Sequence, residues 1–90
     1  MQKTIITVIG KDAIGIIAKV STFLSDHRVN ILDISQTIVG GFFNMMMIVD
    51  TAEADLTISE LSAGLDEVGV AAGVKIRAQH EEIFNMMHRI

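Results

Sequence analysis

Apolar and polar residues alternate from Lys3 to Gly10, with Thr4, Ile6 and Val8 set against Ile5, Thr7 and Ile9. That is the two-residue period of a strand. From Ala13 to Asp26 the period lengthens. Ile16, Ile17, Val20, Phe23 and Leu24 fall at the spacing of a one-sided helix, with Lys19, Thr22, Ser25 and Asp26 on its wet side. Asp12 is the expected N-cap, since its carboxylate can accept free N–H groups of the first turn. His27-Arg28 ends the pattern. Gly40-Gly41 then signals a two-residue hairpin, because both central residues of a type I′ turn need positive φ. Pairing Val39 with Phe42 sets Ile38 opposite Phe43, Gln36 opposite Met45, Ile34 opposite Met47 and Leu32 opposite Val49. One face of the hairpin collects Leu32, Ile34, Ile38, Phe43, Met45, Met47 and Val49, with Gln36 the sole polar member, and is the expected core face. The other is mixed, and its Phe42, Met46 and Ile48 are large side chains to leave in water, which suggests an interface.

Thr57-Ile58-Ser59-Glu60 has the form of a capping box. Ile58, Leu61, Leu65, Val68 and Ala72 follow on one helical face, and Gly69 or Gly73 can end that helix in the left-handed conformation. Val74, Ile76 and Ala78 alternate with Lys75, Arg77 and Gln79 as a fourth strand. Ile83, Met86, Met87 and Ile90 lie on one side of a short terminal helix. The order βαββαβ, with right-handed crossovers and a tight central hairpin, predicts an α+β ferredoxin-like sandwich. Its four-stranded antiparallel sheet runs in the order 4-1-3-2, with two helices on one face. The expected organisation is a single domain over 1–90, with a core over 4–79 and a C-terminal helix over 80–90.

Ninety residues, half of them apolar, support one small core. The net charge is −4, and the seven Lys and Arg are scattered. The basic stripe of a nucleic-acid binder is missing, so no nucleic-acid partner is expected. The absence of Cys removes disulfides, thiolate metal sites and thiol chemistry. No signal-peptide pattern and no apolar run near the ~18 residues of a membrane span is present. The expectation is a soluble, cytoplasmic protein with no membrane partner.

The loop GKDAIGII, Gly10 to Ile17, sits between strand and helix where phosphate loops occur. A phosphate loop would continue Gly-Lys-Ser/Thr, but Gly15 is followed by Ile16-Ile17, and Asp12 breaks the dinucleotide pattern. His27, His80 and His88 have no ligand-like spacing, so no metal and no cofactor are expected. An acyl-phosphate hydrolase of this fold would need a loop guanidinium to grip phosphate, and only Lys11 is present beside Asn44. No catalytic residues stand out. Backbone N–H groups of Ala13 to Gly15 could receive a carboxylate, and Asp12 an ammonium group, as a free amino acid would require. The same residues also make sense as a plain cap and turn.

Gly10 to Gln36, GKDAIGIIAKVSTFLSDHRVNILDISQ, resembles the signature of the ACT domain, a small-ligand regulatory module. The loop pattern x-[DN]-x-x-G-[ILV]-[ILV] is followed by hydrophobic-Asn-Ile, here Val29-Asn30-Ile31. ILDISQT, FFNMMMIVD and GVKIRAQHEEIFNMMHRI resemble stand-alone bacterial ACT-domain proteins along essentially the whole chain. The resemblance implies a homodimer that binds an amino acid between the first loop of one copy and the second strand of its neighbour. Carried over, Asp12, Ala13, Ile14 and Gly15 form the loop half of the ligand site, and Asn30 and Ile31 the strand half. Ile14 departs from the proline common there, and Gly10 lacks a ligand-contacting side chain. The function implied is a non-enzymatic regulatory sensor of an amino acid or similar metabolite, acting through a protein partner. The alternative is a ligand-free protein-interaction module in the regulation of amino-acid or glycine metabolism.

Overall fold

The computed structural model describes residues 2–11 and 15–80. The expected terminal helix over 80–90 and the loop residues Asp12, Ala13 and Ile14 lie outside the described residues, apart from His80. The elements are β1 (Lys3–Gly10), α1 (Ile16–Asp26), β2 (Asn30–Val39), β3 (Phe42–Asp50), α2 (Ile58–Ala72) and β4 (Lys75–His80). They form one antiparallel sheet in the order β2-β3-β1-β4, the expected ferredoxin-like wiring.

The hairpin turns where two glycines permit it, with Gly40 at φ 59° and Gly41 at φ 83°. Its register follows the expected one from Val39↔Phe42 to Asp33↔Ile48. A bulge between Ile31 and Asp33 then shifts it, so Ile31 rather than Leu32 pairs with Val49. The extra residue reverses the alternation at the start of β2. Ile31 thereby packs against the core, and Asn30 pairs with Asp50.

The core lies between the sheet and the helices. Ile6 and Val8 of β1, Phe43, Met45, Met47 and Val49 of β3, and Ile76 of β4 meet Ile16, Val20 and Leu24 of α1 and Leu61 and Leu65 of α2. The expected core face of β2 is a correction: Ile34 is 40% and Ile38 73% exposed, and Leu32 is exposed as well. β2 is the edge strand, and neither helix covers its outer half. On the opposite face Phe42 is exposed as expected, while Met46 and Ile48 are only half-exposed. The apolar surface left in water is therefore centred on the β2 edge.

α2 begins with the expected capping box: Glu60 N–H donates to Thr57 Oγ1 at 3.2 Å, and Thr57 N–H donates to Glu60 Oε1 at 2.8 Å. It ends at Gly73, φ 76°. Gly69, inside this helix, lies against the chain that turns back into β4. A Cβ there would stand 2.7 Å from the Val74 carbonyl oxygen. Alanine normally improves a helix interior by about 1 kcal/mol over glycine. Here the sign should reverse, because the obstructing atom is backbone. Gly69→Ala is expected to lower the urea midpoint of unfolding, and a raised midpoint would refute the close packing.

Candidate functional site

The loop half of the site starts where β1 ends at Gly10, whose missing side chain leaves room for Val74. Lys11 follows, with its Nζ 5.8 Å from the centre of the Phe42 ring. Gly15, φ 75°, directly precedes α1, and its carbonyl accepts the N–H of Lys19 at 3.0 Å. The expected helix start at Ala13 and cap at Asp12 are corrected: α1 begins at Ile16, Gly15 holds the N-cap position, and no side chain caps it. A left-handed glycine turns the chain sharply into the helix, and among the described residues no side chain accepts from the first-turn N–H groups.

The strand half is built at the other end of α1. Val29 N–H reaches back to the Leu24 carbonyl at 2.9 Å and Arg28 N–H to that of Ser25 at 3.1 Å. This closes the helix in a Schellman-type turn. The turn needs a left-handed residue, and Arg28 takes it at φ 63°, the one described non-glycine residue with positive φ. Val29 plugs into the core, and Asn30 opens β2 with its side chain exposed. A hollow of about 480 Å³ lies here, lined by Ser21, Ser25, Arg28, Asn30, Ile31 and Glu53 among others.

Two contacts hold its frame. His27 Nδ1 pairs with Asp55 Oδ1 at 2.9 Å, while Asp55 N–H donates to the His27 carbonyl at 3.1 Å. The His27 ring also packs on Phe23, 4.7 Å between centres. This histidine therefore ties the end of α1 to the loop before α2. Beside Asn30, the Asp50 carboxylate accepts the N–H groups of Ala52 at 3.0 Å and Gln2 at 3.1 Å. These two bonds, Ala52 first, hold its pKa below the usual carboxylate range.

Among the described residues the two halves lie apart. α1 has 11 residues, which at 1.5 Å per residue separate Gly15 from the β2 start by about 16 Å. The sheet places them the same way: Gly10 pairs with Phe43 at one end of β3, and Asn30 with Asp50 at the other. Of the expected site residues, Gly15 stands alone among the described part of the loop, and Asn30 and Ile31 share the hollow. Ser21, Ser25, Arg28 and Glu53 line the same hollow, and the sequence reading did not single them out. Among the described residues no group of three His, Cys, Asp or Glu could hold a metal ion. No described helix is long and apolar enough to cross a membrane.

An antiparallel sheet in this order, with a glycine-turned loop ahead of α1 and Asn at the mouth of β2, defines a small ACT-type module. Residues 2–79 match the ACT domain family, and the chain belongs to it. Within that family it groups with the UPF0237 proteins. One from Bifidobacterium longum is 59% identical over 90 residues, covering 100% of both chains. Among solved structures, an ACT domain protein from Streptococcus pneumoniae superposes with a TM-score of 0.83 at 40% identity, covering 92% of this chain and 93% of that one. A formyltetrahydrofolate deformylase from Pseudomonas syringae shares the fold at 21% identity and a TM-score of 0.80, over 89% of this chain but 28% of its own. Family membership points to a regulatory, non-catalytic domain.

Proposed function

We propose that this chain is a non-enzymatic regulatory protein of the cytoplasm that binds an amino acid or similar small metabolite at a homodimer interface. The observation that carries this reading is the separation of the two half-sites by the length of α1. A small ligand that uses both must be held by two copies. The open edge of β2 supports one way of joining them. Among the described residues no strand pairs with its outer side, and Leu32, Ile34 and Ile38 are exposed beside it. Such an edge is a template for pairing with another strand. Antiparallel pairing of β2 with its copy about a two-fold axis would set the Asn30 end of one strand beside the Val39 end of the other. Val39 pairs with Phe42, over which Lys11 of the loop lies. The loop half of one chain would thus approach the strand half of its neighbour. In this arrangement Asp12 takes the ligand's ammonium group, Ala13, Ile14 and Gly15 enclose it, and Asn30 and Ile31 hold it from the other side. The bound dimer then presents a changed surface to a regulated protein.

Thermal melts against the proteinogenic amino acids at millimolar concentration test the reading. A ligand at 100 times its Kd adds about 2.7 kcal/mol, several degrees for a domain of this size. At least one amino acid should produce such a shift, and Asp12→Ala or Asn30→Ala should each abolish it. If none shifts the melt, the amino-acid reading fails and a ligand-free interaction module takes its place.

A further inference from the structure

Both helices end in the same hydrogen-bonded turn. In α1, Val29 N–H donates to Leu24 at 2.9 Å; in α2, Val74 N–H donates to Gly69 at 2.9 Å. Each turn places a buried valine after a left-handed residue, Arg28 at φ 63° and Gly73 at φ 76°. Glycine adopts this conformation without the steric cost of a Cβ, and arginine does not. The fold therefore solves one problem twice, once with the favoured residue and once with a strained one. Backbone strain of this kind gathers at ligand sites. Among the described residues, the Arg28 guanidinium has no hydrogen-bond or ion-pair partner, and neither has the Glu53 carboxylate. The two opposite charges line the same hollow without pairing. The His27–Asp55 clasp braces the two segments that carry them, so less ordering is required when a ligand arrives.

We propose that Arg28 is a ligand-binding residue that takes the carboxylate of a free amino acid, with Asn30 and the hydroxyls of Ser21 and Ser25 beside it, and that Glu53 excludes ligands with a second carboxylate. This inference rests on the amino-acid reading above and names its specificity. A planar guanidinium grips a carboxylate with two parallel hydrogen bonds, stronger than those between neutral groups. Glu53 at the rim repels a further negative charge. The hollow should thus favour neutral amino acids over aspartate and glutamate.

The test uses the full chain, with thermal melts and titrations of glycine, L-serine, L-glutamine, L-aspartate and L-glutamate. Glycinamide, which lacks the carboxylate, serves as the control. At least one neutral amino acid should shift the melt, while glycinamide, aspartate and glutamate do not. Arg28→Gly should melt higher than wild type yet bind the same amino acid at least tenfold more weakly, a combination that a merely structural arginine would not give. Arg28→Gln, which keeps a side chain but no charge, should show the same loss. Glu53→Gln should admit aspartate or glutamate. Equal binding by the Arg28 variants, or binding of glycinamide as tight as that of glycine, would overturn this inference and leave the amino-acid reading standing. If no amino acid binds wild type, both fall together.

Discussion

Met47→Ala is expected to cost about 2–5 kcal/mol of folding stability, the usual range for emptying a fully buried methionine site. Met47 is 0% exposed. It lies on β3 between Ile34 of β2 and Ile6 of β1. The helices close over it, so the lost side chain leaves a cavity that neighbours on three sides must collapse to fill. At ~0.05–0.15 kcal/mol per residue, a chain of this length holds only about 5–13 kcal/mol in total. A large part of the margin would go with one side chain. Urea unfolding should show a markedly lower midpoint with an unchanged slope. Ile38→Ala is the matched control: Ile38 is 73% exposed, and its loss should change the stability of the isolated chain by no more than about 0.5 kcal/mol. Similar costs for the two variants would refute the placement of the core.

That contrast marks where the sequence stopped being informative. Met47 and Ile38 belong to one apolar face in the hairpin register, and alternation predicts burial for both. Periodicity reports which residues share a face, but not whether a helix reaches far enough to cover it. Features carried by local chemistry were legible: Gly40-Gly41 needs positive φ, Thr57 and Glu60 cap each other, and a glycine ends α2, Gly73 of the two that the sequence offered. The bulge at the start of β2 was not, because Ile31-Leu32 are both apolar and either suits the core-facing position. The α1 start was misplaced for a related reason. Asp12 and Gly15 are both acceptable in front of a helix, and the apolar spacing from Ile16 onward fits either. At the candidate site, the motif singled out Asn30, which lines the hollow at the start of β2. Arg28 was hidden, since left-handed backbone is signalled by glycine and here an arginine adopts it.

Ile34→Asp is expected to weaken self-association at least about a thousand-fold while leaving the monomer folded. Ile34 lies next to the midpoint of β2, which runs from Asn30 to Val39. A two-fold axis that pairs the strand with its copy must pass close by. A side chain near such an axis meets its own mate, so each substitution counts twice in an isologous interface. Two carboxylates would face each other there, each costing about 2–5 kcal/mol if buried without a partner. In the isolated chain the same position is 40% exposed, and a charge on an edge strand is a common native means of preventing pairing. Sedimentation over a dilution series should show wild type as a dimer and the variant as a monomer. Because the proposed site draws its two halves from different copies, the variant should also lose the amino-acid melting shift, although Asp12 and Asn30 are intact. A variant that stays dimeric would remove β2 from the interface. A monomeric variant that still responds to the ligand would place the whole site within one chain, against the ~16 Å between its halves.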